Sequence, residues 1–284
     1  MRRRAAPLYF TGPAVVLFAV FFAYPLIASL VQSFQRSEGS VISWAGFDNY
    51  ARLLDDPNVG TALVNIALIL LVQVPLMIGL ALILAQILNQ SWLRARSTYR
   101  IGYFLPAVTA LVAYAIVFRV LLRGDTGMFN QMIGLIGLPA VDWLNDPLWA
   151  KVALIASITW RWTGYNMVIL LAGLQAIDRT QYEAAAVDGA GPVTTYVRVI
   201  IPQLRPVILF CLITSTIGTL QLFDESYILT GGGPDDATLT PVLYLYQVGF
   251  QQLDFGYASA IAWLVVAIIG VLSFAQFKLL GRRS

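Results

Sequence analysis

Histidine is absent from the 284 residues, cysteine occurs once, and lysine occurs only as Lys151 and Lys278. Without His, a Ser-His-Asp triad, a Cys-His pair and the usual His-bearing zinc sites cannot be built. Cys211 stands alone among apolar residues, which rules out a disulfide framework and a cysteine metal cluster. Neither lysine follows a glycine as G-x-x-x-x-G-K followed by Ser or Thr requires, so the chain has no P-loop and cannot hydrolyse ATP by that route. Charge is scarce as well, at 12% of residues against roughly 25% in soluble domains. What is plentiful is apolar: 58% hydrophobic residues, with 15 Phe, 7 Trp and 13 Tyr, and a mean hydropathy of +0.74. One core of a chain this long cannot hide that much apolar surface from water, so the solvent is lipid.

A helix needs about 20 mainly apolar residues to cross a bilayer. Residues 5–35, 57–93, 101–118, 206–223 and 255–277 carry no Asp, Glu, Lys or Arg, and 152–177 carries only Arg161. None alternates with the dyad period of a lipid-facing barrel strand. The expected fold is therefore an all-α membrane protein, a bundle of six transmembrane helices over about 9–33, 62–88, 101–122, 152–176, 204–223 and 256–279. The apolar run after Arg2, Arg3 and Arg4 could begin a signal peptide, but it continues through Pro25 and Leu30 without a small-residue cleavage site, so it reads as the first helix.

The loops sort by charge. One alternating set carries Arg2, Arg3, Arg4, Arg94, Arg96, Arg100, Arg179, Arg198, Arg205, Lys278, Arg282 and Arg283 against only Asp178, Glu183 and Asp188. The other set is acidic, from Glu38, Asp55 and Asp56 through Asp125, Asp142 and Asp146 to Asp224, Glu225, Asp235, Asp236 and Asp254. The positive-inside rule puts both termini and the 176–205 loop in the cytoplasm. The net charge of +3 thus reflects membrane sidedness rather than affinity for nucleic acid. Asp224 and Glu225 read as part of an acidic, solvated outer loop. Pro13, Pro25, Pro75, Pro106 and Pro206 should bend or open helices, either as irregular packing or as gating joints, which look alike in sequence.

The most informative segment lies between the fourth and fifth spans. Glu183-Ala184-Ala185-Ala186-Val187-Asp188 is an alanine-rich helical stretch, Gly189-Ala190-Gly191-Pro192 is stop-and-turn chemistry, and Thr194 to Ile201 can restart a helix that Pro202 ends. Small alanines let a partner approach the backbone, and Glu183 and Asp188 place acidic charge in a basic loop set. The segment reads as a cytoplasmic docking knob.

E-A-A-x-x-D-G-A, followed about ten residues later by I-x-P, resembles the EAA motif of permease subunits in binding-protein-dependent ABC importers. Gly46-Phe47-Asp48-Asn49-Tyr50, Tyr103-Phe104-Leu105-Pro106, Thr230-Gly231-Gly232-Gly233-Pro234 and Phe255-Gly256-Tyr257-Ala258-Ser259-Ala260 are similar to carbohydrate-importer permeases, so the likeness covers nearly the whole chain. The T-G-G-G-P stretch is similar to the MalF-type half of such importers. The resemblance implies a multi-pass subunit of the bacterial plasma (inner) membrane in which residues 180–203 are a coupling loop to a separate ATPase. Glu183, Ala184, Ala185, Asp188, Gly189 and Pro202 would make that coupling. It also implies a second, MalG-type permease, an ATPase homodimer that holds the ATP and Mg, and an extracytoplasmic solute-binding protein. No cofactor falls to this chain, which carries out no bond chemistry itself.

Polar groups inside a bundle are costly in lipid and should face a wet path or a partner helix. Ser215, Gly218, Thr219 and Leu222 recur at i, i+3, i+4 and i+7, and Arg161, Trp162 and Tyr165 share a face of the fourth helix. Aromatic rings stack on a pyranose, while hydroxyls and a guanidinium bond to its rim. The same residues also suit small-residue helix packing, an interfacial aromatic belt of Trp160 and Trp162, and an arginine snorkelling from the helix's outer end. Gap-free alignment to the MalF-type motifs implies sugar-contacting positions at Trp162, Tyr165, Ser215, Gly218, Thr219 and Leu222, with different polar identities at several of them. The expected cargo is a di- or oligosaccharide, with glycerol phosphate or another polyol as the alternative, Arg161 being the candidate phosphate ligand. A stand-alone secondary transporter is the more distant alternative, disfavoured because no helix shows a buried carboxylate or His suited to a proton relay.

Overall fold

The computed structural model describes residues 6–38, 41–90, 92–124 and 126–281. Arg2, Arg3, Arg4, Asp125, Arg282 and Arg283, used above to sort the loops, lie outside these. The described chain is almost wholly helical, with one short hairpin. The first helix is α1 (Ala6–Phe18), continued through a π-helical turn (Ala19–Ala23) into α2 (Tyr24–Gln32). The hairpin β1 (Gln35–Glu38) and β2 (Val41–Trp44) leads to α3 (Asp48–Asp55). Then come α4 (Pro57–Asn89), α5 (Arg96–Val108), α6 (Leu111–Leu121), α7 (Met128–Leu135), α8 (Pro147–Gln175), α9 (Arg179–Val187) and α10 (Pro192–Thr195). A π turn (Tyr196–Ile200) joins α10 to α11 (Ile201–Leu220), followed by α12 (Asp224–Leu229), α13 (Pro241–Tyr246) and, after a third π turn (Gln247–Gln251), α14 (Phe255–Gly281).

Four segments are long and apolar enough to cross a membrane: Thr11–Gln32, Pro57–Asn89, Pro192–Leu220 and Phe255–Leu280. The expected single span over 101–122 is instead two helices, α5 and α6, bent by 97°. Thr109 and Ala110 are extended there, and Thr109 Oγ1 donates to the Pro106 carbonyl at 2.7 Å, which closes the α5 terminus. The 29-residue α8 begins on Asp146, whose side chain accepts from the Leu148 and Trp149 amides, with Pro147 in the first turn.

Proline placement has a local logic that periodicity does not reveal. Tyr24 N–H donates to the Ala19 carbonyl and Ile201 N–H to the Tyr196 carbonyl, so a widened turn stands one residue before Pro25 and before Pro202. Widening relieves the clash of a proline ring with the carbonyl four residues back. Pro202 therefore does not end a helix, as expected from sequence, and the chain runs helically from Pro192 to Leu220.

The chain divides into two compact units, residues 1–60 with 244–266, and residues 61–243 with 267–284. In the first, Asn49 is buried and its Nδ2 donates to the Ser33 and Gln35 carbonyls, pinning the hairpin. Asp56 accepts from the Tyr244 and Tyr257 hydroxyls at 2.6 and 2.7 Å, and Arg52, paired with Asp254 at 2.7 Å, lies 3.7 Å from the Tyr257 ring centre. Gly256 has no room for a Cβ, which would stand 2.0 Å from the Gln35 carbonyl oxygen. In the second unit, α4, α8 and α11 share a core that includes Met77, Ala81, Met167, Leu170, Leu204 and Cys211. Here α5 rests on α8 at Gly164, where an added Cβ would lie 1.7 Å from the Tyr103 carbonyl oxygen.

Candidate functional site

Within the second unit, α4, α8, α11 and residues 221–225 line a half-open cavity of about 380 Å³. All six residues expected along the substrate path line it: Trp162 and Tyr165 from α8, Ser215, Gly218 and Thr219 from α11, and Leu222 just beyond. The walls hold an aromatic corner, with the Trp162 and Tyr165 rings at 89° and 5.7 Å between centres, and Phe104 stacked on the far side of Tyr165 at 6.5 Å. Gly218 leaves the wall open, since an added Cβ there meets nothing within 4 Å.

Two amides that helical spacing did not single out, Gln73 and Asn166, add to the polar lining. Gln73, on α4, is 1% exposed and its Oε1 accepts from Thr219 Oγ1 at 2.9 Å. Asn166, on α8, donates to the Trp162 carbonyl and accepts from Ser215 Oγ at 3.5 Å. A lone amide in the otherwise apolar stretch 66–85 of α4 is the signal that could have found Gln73, because such a group persists in lipid only with a partner. These bonds leave hydroxyl and amide groups at the cavity wall, a surface that exchanges hydrogen bonds with a neutral polyhydroxylated guest.

Two expectations fail here. Arg161 does not snorkel: it is 4% exposed, its Nη2 donates to the Thr109 carbonyl at 2.9 Å, and its guanidinium lies 4.4 Å from the Tyr114 ring centre. It is not part of the cavity lining, so it does not share the cavity-facing side with Trp162 and Tyr165. Glu225 is not solvated: it too is 4% exposed, and it accepts from the Tyr114 hydroxyl at 2.5 Å. Arg161 and Glu225 thus flank one tyrosine and tie the α5–α6 bend, α8 and α12 together. Arg161 on α8 and Glu225 on α12 come to the same tyrosine only through the fold. Trp160, by contrast, is half exposed and packs on Phe118 with 5.3 Å between ring centres.

The other site is the loop after α8. Asp178 caps α9 by accepting from the Thr180 amide at 3.0 Å, and this bond, with one from the Thr180 side chain, holds its carboxyl below the usual carboxylate value. Glu183, Ala184 and Asp188 are exposed and Ala185 is buried. After Val187 the chain closes in a Schellman motif, with Gly189 N–H donating to the Ala186 carbonyl and Ala190 N–H to the Ala185 carbonyl. Gly189 takes the left-handed conformation this needs, at φ +75°. The D-G-A portion of the motif is therefore a helix stop, and Gly191-Pro192 starts the next helix. Pro202 sits apart, in the first turn of α11. The knob presents Val187 and Val193 at 88% and 77% exposure, apolar groups that a free surface does not favour. Beside it lies a second cavity of about 620 Å³ whose lining includes Arg96, Arg179, Tyr182 and Glu183. Burial raises the Tyr182 hydroxyl above its ordinary pKa.

The family model for the binding-protein-dependent transport system inner membrane component matches residues 77–284. The chain is 48% identical over 273 residues to the lactose transport system permease protein LacF of Rhizobium radiobacter, covering 94% of this chain and 91% of that protein. It is 35% identical over 287 residues to the arabinooligosaccharides transport system permease protein AraP of Bacillus subtilis (strain 168), covering 98% and 90%. Among solved structures it is similar to a chain of a bacterial ABC transporter involved in the import of the acidic polysaccharide alginate, with a TM-score of 0.86 and 24% identity over 99% of this chain and 96% of that one. That likeness is one of fold.

Proposed function

We propose that this chain, which belongs to the binding-protein-dependent transport system inner membrane components, carries a di- or oligosaccharide across the membrane through the cavity lined by Trp162, Tyr165, Ser215, Gly218, Thr219 and Leu222. The observation that carries this reading is that residues chosen by helix face and motif, from two helices and a loop, line one cavity. The relatives' names, lactose and arabino-oligosaccharide permeases, support a sugar as cargo. In this reading the chain crosses the membrane six times, α8 and the α5–α6 pair completing the set, with both termini in the cytoplasm. It pairs with a second, MalG-type permease, and the two share an ATPase homodimer and an extracytoplasmic binding protein.

The knob of α9, Gly189 and α10 docks on the ATPase. Its rigidity supports that role, since a capped helix closed by a Schellman motif transmits a push that a loose loop would absorb. ATP binding on the partners closes them and moves the knob. The continuous helix from Pro192 to Leu220 passes that motion directly to Ser215, Gly218 and Thr219 at the cavity. The cavity then alternates between the two sides of the membrane.

Co-purification from the native membrane tests this. Tagged wild-type chain should bring down an ATPase and a second permease, and a Glu183→Ala/Gly189→Ala variant should lose most of the ATPase while keeping the permease. A chain that purifies alone and transports in vesicles without ATP would show a secondary carrier instead.

A further inference from the structure

Among the described residues, the cavity lining contains two carboxylates, Asp224 and Glu225, and no lysine or arginine. The remaining polar lining, from Gln73 and Asn166 to Ser215 and Thr219, is uncharged. Glu225 is held in place by the Tyr114 hydroxyl and is 4% exposed, so its carboxylate cannot swing out into water to escape an incoming anion. The basic residue nearest in sequence to the aromatic corner, Arg161, lies outside the lining: its Nη2 donates to the Thr109 carbonyl, and its guanidinium sits 4.4 Å from the Tyr114 ring centre and 5.5 Å from that of Trp162, behind the cavity wall.

We propose that this cavity selects uncharged saccharides and rejects anionic ones such as uronates and sugar phosphates; the inference rests on the cavity being the sugar path. An anion entering a wall of this kind loses its hydration, finds no cation in the lining to replace it, and meets two carboxylates where the effective dielectric is below that of water. A neutral sugar loses only hydrogen bonds to water, and the amide and hydroxyl groups of the wall restore them. The glycerol-phosphate alternative raised by Arg161 is thereby disfavoured, because the arginine that would hold the phosphate is outside the lining and donates to the Thr109 carbonyl.

The test is equilibrium dialysis on the purified full importer complex in lipid nanodiscs, without nucleotide or binding protein. The probes are neutral di- and trisaccharides, including lactose and arabinotriose, the same sugars oxidised at primary hydroxyls to uronates, and the matching uronamides. The expected result is binding of at least one neutral sugar, its uronate bound at least about tenfold more weakly, and its uronamide restored, since two carboxylates within several ångströms impose a penalty of that order. Asp224→Asn should narrow the uronate gap, and Glu225→Gln should narrow it further if the variant folds. A uronate bound as tightly as its parent overturns the inference, and so does a uronamide that stays as weak as the uronate, because shape rather than charge would then decide. If no probe of any kind binds, the sugar-path reading itself falls and takes this inference with it.

Discussion

Gly164→Ala and Gly218→Ala are the same substitution in two long helices of one unit, and the structure assigns them opposite outcomes. At Gly164 the new methyl would stand 1.7 Å from the Tyr103 carbonyl oxygen and 2.4 Å from its carbonyl carbon, both backbone atoms that no rotamer change can move. To reach a tolerable separation α5 must retreat from α8 by more than 1 Å. Overpacking of this kind costs typically about 1–3 kcal/mol, and a backbone obstruction belongs at the upper end. At roughly 2 °C per kcal/mol for a chain of this size, the apparent unfolding midpoint should fall by about 5 °C. The retreat also draws Phe104 off the Tyr165 ring, so uptake should fall with stability. At Gly218 the methyl meets nothing within 4 Å, and helix propensity favours Ala over Gly by up to about 1 kcal/mol, so the midpoint should hold or rise. Uptake should nonetheless drop, because the methyl projects from a cavity wall. Scanning fluorimetry of the detergent-purified variants and sugar uptake in cells read the two effects separately. If Gly164→Ala melts within about 1 °C of wild type, the helix packing described here is wrong.

Gly256→Ala should destabilise the first unit for the same reason, its Cβ falling 2.0 Å from the Gln35 carbonyl oxygen, and should appear as earlier proteolysis near the hairpin. Arg161→Gln should destabilise more than the Arg161→Gln/Glu225→Gln double variant does, because the single change removes the positive charge on one side of Tyr114 and leaves the buried carboxylate on the other; a double-mutant cycle should show coupling of about 1 kcal/mol or more. Burial pushes the Asp56 carboxyl up, but hydrogen bonds from Tyr244, Tyr257 and the Asn58 and Val59 amides outweigh it, leaving its pKa below 3.8 in the fold. A lowered folded pKa gives stability that is present above the unfolded value and lost as pH falls through the folded one, so Asp56→Asn should lower the midpoint at neutral pH and flatten its decline below about pH 4.

What could be read from composition was decided by solvent. Lipid forbids exposed backbone polar groups, so long uncharged runs had to be helices, and α4 and α14 lie where the runs were. The turn after α9 was legible because its chemistry is local: Asp188-Gly189-Ala190 stops a helix by a rule that involves only six residues. Pro202 was misread for the complementary reason. Whether a proline ends a helix depends on the turn before it, and the π turn at Tyr196–Ile200 has no signature in the residue pattern. Helix faces brought Ser215, Gly218 and Thr219 together correctly because i, i+3, i+4 spacing is itself local.

The sequence by itself determined the solvent, most of the helices and the helix stop at Asp188-Gly189-Ala190. Only the tertiary structure decided the rest: that α5 and α6 meet at a 97° bend, that Gln73 on α4 meets Thr219 on α11, and that Glu225 and Arg161 are both buried against Tyr114. The physical reason is range. Burial in lipid and helix closure act within a turn or along one segment, whereas the partner of a buried charge is chosen by which helices pack together, and Tyr114 and Glu225 stand 111 positions apart in the chain.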